Sequence, residues 1–217
     1  MRGDLQEKGT LESTYAATLA AKSFRTAMAI AAERNLEIRQ FDVVGAFLNA
    51  RITAENPVIC EMPDGFRKEG MSVKLNRALY GLRDSPLLWY EEFSGSLREF
   101  GLMASKEEPC LFFDQERKVW VLFYVDDTLI MYAEEDEKQA LEKLSKITAK
   151  YEMQDQGEVN WFLGVRVIRD REARTITLVH DTYIDKIAKK FGLDNSANPP
   201  TLLPSKELVK NKDEAIK

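Results

Sequence analysis

Val121-Leu122-Phe123-Tyr124-Val125-Asp126-Asp127-Thr128-Leu129-Ile130-Met131 sets two adjacent carboxylates between two apolar, β-favouring runs. Charge buried inside an apolar strand without compensation is expensive. The simplest arrangement is a tight hairpin with Asp126 and Asp127 at its tip. Two anions held that close repel and raise each other's pKa unless a cation lies between them. A hard divalent ion with carboxylate ligands, Mg²⁺ above all, meets that need. The bland alternative is a plain hairpin whose turn reads Asp-Asp, because Asp is common in turns. The choice depends on whether the remaining chain supplies a third carboxylate and a surface for a phosphate-bearing substrate.

The chain has 217 residues, 44% apolar and 31% charged, enough for one or two globular domains with a sizeable core. Cys60 and Cys110 lie far apart without a CxxC partner and read as reduced core residues of an intracellular protein. No apolar run approaches the roughly 18 residues of a membrane span, and Met1-Arg2-Gly3-Asp4 lacks the apolar core of a signal peptide. The single His180 argues against a multi-His zinc site. A net charge of −5 is awkward for a nucleic-acid binder, but from Trp161 onward Lys and Arg outnumber Asp and Glu by 11 to 8.

In order, residues 1–12 are polar and aperiodic. Ser13 or Thr14 caps an amphipathic helix, in which Tyr15, Leu19, Phe24, Ala27, Met28 and Ala31 recur at helical spacing up to Asn35. Residues 36–43 alternate as a strand with Asp42 near its end, and Gly45 and Ala46 leave room for a ligand near the backbone. Taken alone, Asp42 reads equally well as a helix cap. Short strands follow at 58–62 and 72–75. Ser85 and Pro86 open a helix with Trp89, Phe93, Leu97 and Phe100 inward, stopped by Gly101. Strands at 110–113 and 118–124 lead into the Asp126 hairpin. Residues 134–150 form a charged helix with Ala140, Leu141, Leu144 and Ile147 inward. Strands near 165–167 and 175–179 pair, and a basic helix spans 182–191.

This order suits an antiparallel sheet with helices packed on one face, an α+β fold. No Gly-rich phosphate loop is present. If the Asp42 strand lies beside the Asp126 hairpin, three carboxylates converge. Three acids, two metal ions and a triphosphate make a polymerase site, which needs no histidine as general base.

The sequence resembles the reverse transcriptase of copia-type LTR retrotransposons from about Leu11 to about Pro204. The resemblance rests on Gln40-Phe41-Asp42-Val43-Val44-Gly45-Ala46-Phe47-Leu48-Asn49, on Leu79-Tyr80-Gly81-Leu82-Arg83-Asp84-Ser85-Pro86 up to Trp89, and on Glu108-Pro109-Cys110-Leu111-Phe112, which has Glu where the family has Asp. It rests also on Tyr124-Val125-Asp126-Asp127 and on Gly157 to Gly164. It implies a polymerase palm with partial fingers and the start of a thumb: partial fingers and a lead-in helix over 1–35, palm with fingers insertion over 36–160, and primer grip and thumb start over 161–217. It implies that Asp42, Asp126 and Asp127, with the Val43 carbonyl, hold two Mg²⁺ ions, or Mn²⁺ in their place. Phe47, Tyr80 and Gly81 then line the nucleotide pocket. Phe47 blocks a ribose 2′-OH on this reading and is a plain core residue on the other. Tyr124 and Trp161, Phe162, Leu163 and Gly164 seat the primer. The basic helix around Lys186 is either a phosphate-contacting thumb start or a solvated face.

The implied activity is RNA-directed DNA polymerase: nucleotidyl transfer from a dNTP to a primer 3′-OH, with an RNA template and a DNA or RNA primer as partners. RNase H and integrase segments belong to a parent polyprotein, and the implied setting is a cytoplasmic retrotransposon particle. Asp84 and Leu87 depart from the family, adding an anion and removing a cation near the expected triphosphate. The family's basic finger strands precede Arg2-Gly3, so the chain is expected to be a piece of a polyprotein or a truncated copy. The alternative is an inactive or host-adopted remnant that binds nucleic acid or protein.

Overall fold

The structure is a computed structural model that describes residues 15–53, 55 and 57–193. Its centre is a six-stranded antiparallel sheet. The strands are β1 (Glu37–Val43), β4 (Met103–Ala104), β5 (Leu111–Phe113), β6 (Val119–Tyr124), β7 (Asp127–Tyr132) and β8 (Met153–Glu158), in the order β4-β5-β6-β7-β1-β8. A two-stranded hairpin, β2 (Ile59–Glu61) with β3 (Ser72–Lys74), is inserted after β1. A three-stranded sheet of β9 (Trp161–Phe162), β10 (Val165–Asp170) and β11 (Thr175–Val179) follows β8, and β10 pairs with β11 as expected. The helices are α1 (Ala21–Arg34), the one-turn α2 (Ala46–Asn49), α3 (Ser85–Glu99), α4 (Glu137–Lys150) and α5 (Asp181–Lys190). The chain divides into two compact units, Met1–Val179 and His180–Lys217; among the described residues the second consists of α5 and its flanks.

Strand periodicity explains the core. Ile38, Leu129, Met131 and Leu122 fall on one face of the sheet, and Phe41, Ile130, Val121 and Phe123 on the other; all eight are buried. Phe93 of α3 meets Phe123 edge-on at 5.0 Å, and its ring is fully buried, worth about 1.5–3 kcal/mol. On the other face, Ala27 and Ile30 of α1 line a groove with Leu111, Phe113 and Trp120. Helices therefore lie against both faces, and the expectation of helices on one face is corrected. Central strands that are apolar on both sides need cover on both sides.

Several local expectations shift. The first helix starts at Ala21, and residues 15–20 are not helical; Ser13 and Thr14 lie outside the described residues. Its cap comes from afar, since the Glu108 carboxylate accepts the Ala20 N–H at 3.1 Å. Ser85 does not cap α3; its hydroxyl donates to the Leu79 carbonyl at 2.7 Å, closing the loop before the helix. Trp89, Phe93 and Leu97 are buried in α3 as the periodicity predicts. In α4, Ala140 and Ile147 are buried but Leu141 is 42% exposed, because it is turned about 100° from Ala140 and lies at the margin of the inward face. Cys110 is buried, while Cys60 sits half-buried on β2 outside the core.

Candidate active site

The hairpin between β6 and β7 has a two-residue loop, Val125-Asp126. Val125 takes φ +58° while Asp126 does not, the pattern of a II′ turn, which favours Gly at its first position. A β-branched residue is strained there. Two bonds hold the turn. The Trp89 indole N–H donates to the Val125 carbonyl at 2.7 Å. The Val43 N–H donates to the Asp126 carbonyl at 3.0 Å, which docks the tip on the end of β1.

Asp127 is the first residue of β7, not part of the tip as expected. It pairs across the ladder with Tyr124 on one side and Asp42 on the other. Cross-strand partners share a face, so Asp42 and Asp127 project from the same side of the sheet. Asp126, one residue earlier, sits in the loop beside them. All three are half-buried. Partial burial, and then repulsion from Asp126, raise Asp42 above the ordinary carboxylate range. Asp127 is raised first by burial; the Gln40 amide, donating at 3.3 Å, offsets part of this, and Asp126 and Asp42 push it up further. The cluster is thus short of positive charge.

Hard oxygen donors with unrelieved mutual repulsion suit a divalent cation. Among the described residues, however, no three Asp, Glu, His or Cys side chains are gathered closely enough to form a ready metal-binding group. The backbone brings the acids together, and the side chains are not drawn in around a common centre.

Phe47 in α2 and Tyr80 stand beside the acids. Their rings touch at 4.6 Å between centroids. The Tyr80 phenol is raised first by burial and then by Asp126 and Asp42, so it lies within electrostatic reach of both carboxylates. Tyr80 is half exposed, and Phe47 is half-buried against the edge of the core. Gly81 takes φ +90°, a conformation that suits glycine, and leaves the backbone there bare.

The 161–164 turn stands apart from this group. Val159 N–H donates to the Ile38 carbonyl, four residues along β1 from Asp42, about 13 Å at strand spacing. Trp161 and Leu163 are exposed, and Leu163 and Gly164 both take positive φ. Phe162 is a core residue, 1% exposed and stacked on Phe24 at 5.0 Å, so only its backbone is open to a ligand. Two contributors were not singled out from the sequence. Gln40 is the polar residue on the inward row next to Asp42, and Trp89 was assigned to the core alone; its place at the end of the Leu79–Trp89 motif was the available signal.

Residues 6–205 match the family model described as reverse transcriptase (RNA-dependent DNA polymerase). The chain is 30% identical over 204 residues to the retrovirus-related Pol polyprotein from transposon TNT 1-94 of Nicotiana tabacum, covering 90% of this chain and 15% of that protein. It is 32% identical over 161 residues to the Pol polyprotein from transposon RE1 of Arabidopsis thaliana, covering 72% of this chain and 11% of that protein. A putative transposon Ty5-1 protein of Saccharomyces cerevisiae is 32% identical over 154 residues, 69% of this chain and 48% of that protein. The chain thus spans a small part of the Pol polyproteins it matches. A family match over almost the whole chain, with such relatives, establishes that the chain belongs to the reverse transcriptase family of copia-type retrotransposon Pol polyproteins.

Proposed function

We propose that this chain is the RNA-directed DNA polymerase domain of a retrotransposon polyprotein, extending a primer 3′-OH with deoxynucleotides on an RNA template. The observation that carries the reading is the direct ladder pairing of Asp42 with Asp127, with Asp126 docked on Val43 beside them. On this reading the palm spans 36–160 with the β2–β3 hairpin as a fingers insertion, residues 1–35 lead into it, and 161–217 hold the primer grip and the start of the thumb. The rest of the parent polyprotein, with RNase H and integrase segments, lies outside this chain.

Asp42, Asp126 and Asp127, with the Val43 carbonyl, would hold two Mg²⁺ ions. Such ions would supply Lewis acidity there, for lowering the pKa of the primer hydroxyl and stabilising the displacement of pyrophosphate. The chain's own groups do the rest. Gln40 orients Asp127 through its amide. Phe47 and Tyr80 present an aromatic wall to the sugar and base, and the Phe47 ring occupies the space a 2′-hydroxyl needs. Gly81 lets the substrate approach the backbone. Tyr124, beside Asp127, and the exposed Trp161 and Leu163 seat the primer end.

Primer extension on an RNA template with Mg²⁺ tests the reading, with Asp126→Asn as the control. Extension by the parent and not by the variant supports it. Binding of primer and template without extension by either would replace it with a nucleic-acid-binding role.

A further inference from the structure

Arg51 and Arg77 face each other across an isolated antiparallel bridge. The bridge is fixed by backbone bonds on both sides, from Ile52 to the Asn76 carbonyl at 3.1 Å and from Ala78 to the Ala50 carbonyl at 3.0 Å. Ala50 and Ala78 are fully buried, so alternation turns Arg51 and Arg77 outward, and both are exposed. Directly opposed side chains have Cβ atoms about 4.5–5.5 Å apart, and like charges so placed destabilise a strand pair. Among the described residues neither arginine makes an ion pair with a carboxylate. Arg77 is nonetheless held, since its guanidinium donates to the Asn49 carbonyl at 2.6 Å. A pair of uncompensated cations, one of them oriented, is what an anion with several oxygens requires.

The position gives the anion its class. Arg51 follows Phe47 by four residues, and Arg77 precedes Tyr80 by three. The two aromatic rings touch, and Tyr80 feels Asp42 and Asp126. The cation pair therefore sits on the two chain segments that carry the aromatic wall of the candidate site. We propose that Arg51 and Arg77 together form a phosphate-binding clamp beside that site. Its ligand is phosphate carried by a nucleotide or by a nucleic-acid backbone, and its role in polymerisation rests on the reverse transcriptase reading.

Two binding assays distinguish the sources. The full chain and the double variant Arg51→Ala/Arg77→Ala are titrated with a fluorescent DNA primer annealed to RNA across a salt series, and with a fluorescent deoxynucleoside triphosphate. If the backbone is the source, primer–template affinity falls about 10-fold or more, and the slope of log K against log salt becomes shallower by about 2. If the triphosphate is the source, affinity for the nucleotide falls and that for primer–template holds. Unchanged affinity for both overturns the clamp. The double variant removes both a like-charge repulsion and the Arg77–Asn49 bond, so its melting temperature should stay near the parent's; a loss of more than several degrees would make the arginines structural and also overturn it. Lys at both positions should restore part of the binding. A parent chain that fails to extend primers would sink the polymerase reading, while these titrations still decide the clamp.

Discussion

The indole N–H of Trp89 donates to the carbonyl of Val125 at 2.7 Å, tying the buried face of α3 to the strained residue of the acidic hairpin. Trp89 is wedged in place by Phe93, stacked at 5.0 Å, and by Tyr151, edge-on at 5.3 Å. The donor is therefore positioned by the core and not by the loop. A β-branched residue at φ +58° costs energy that the surrounding structure must meet, and this bond is one of the means. Trp89→Phe keeps a ring in the core and removes the donor. It should cost about 1–3 kcal/mol, for orphaning a partly buried carbonyl together with lost packing. It should also reduce primer extension more than the stability loss explains, because the tip carries Asp126. Thermal melting and extension rates check both, and an unchanged melting temperature would show that the bond does not hold the turn.

Glu108 makes a second long-range tie. It is 5% exposed, and its two carboxylate oxygens accept the N–H groups of Ala20, at 3.1 Å, and Cys110, at 3.3 Å. One side chain thus sets both the start of α1 and the entry to β5. Glu108→Ala strands two N–H groups and should cost about 2–6 kcal/mol, at roughly 1–3 for each unsatisfied group. Glu108→Gln retains one strong acceptor and should cost less. Far-UV circular dichroism through thermal melting will rank the three chains, and equal stability of the Ala and parent chains would remove Glu108 from the cap.

That tie also shows where sequence reading stops. The apolar period of residues 15–31 continues past the true helix start, and the end is set by a carboxylate 88 positions away, which no local pattern encodes. Strand β8 reads Met153-Gln154-Asp155-Gln156-Gly157-Glu158 and has no apolar alternation, so it is invisible to periodicity; its place comes from pairing with β1 at the sheet edge. Strands β6 and β7 were legible because both their faces are largely buried and apolar, and β1 because its residues alternate. Asp126 and Asp127 were legible as unusual charge between apolar runs; Asp42, which alone reads equally well as a helix cap, and the neighbourhood with Phe47 and Tyr80 were legible through family motifs. The register was not, because a one-residue slip decides whether Asp127 lies in the turn or in the ladder.

The register has an electrostatic consequence. Asp42 and Asp127 are both raised above the usual carboxylate value of 3.8 in the fold, chiefly through burial; Asp126 adds to the shift at Asp42, and Asp126 and Asp42 add to it at Asp127. A carboxyl raised on folding favours the native state most when protonated. That advantage is complete below the unfolded value and is lost as pH rises through the raised folded value. At neutral pH the acids therefore oppose folding, and Asp42→Asn should raise the melting temperature. The gain should be small, on the order of a few tenths of a kcal/mol, because these half-buried groups are screened by solvent. It should vanish as pH falls below about 3.8. A gain that is larger in acid than at pH 7 would contradict the mutual repulsion.

Phe47 touches both the core edge and Tyr80. Phe47→Ala should admit ribonucleotides in primer extension by opening the space beside the sugar, with a stability cost of about 1–3 kcal/mol, below the 3–5 of a fully buried Phe. The measurement is the ratio of kcat/KM for deoxynucleotide to that for ribonucleotide. An unchanged ratio with the expected stability loss would leave Phe47 a packing residue only.

A cation that bridges the acids would relieve the same repulsion that Asp42→Asn removes. Mg²⁺ should therefore raise the melting temperature of the parent chain at pH 7, by about 1.4 kcal/mol of added stability at ten times its Kd. The effect should shrink in Asp126→Asn and in Asp127→Asn, which each remove a ligand, and it should fade in acid as the carboxylates protonate. Ca²⁺, a hard ion with looser geometry, should also stabilise the fold, and an excess of NaCl at matched ionic strength should not. This assay does not depend on catalysis, so it tests ion binding at Asp42, Asp126 and Asp127 separately from turnover. An equal Mg²⁺ response in the parent and in both Asn variants would place the ion elsewhere on the protein and leave the acid cluster without its metal role.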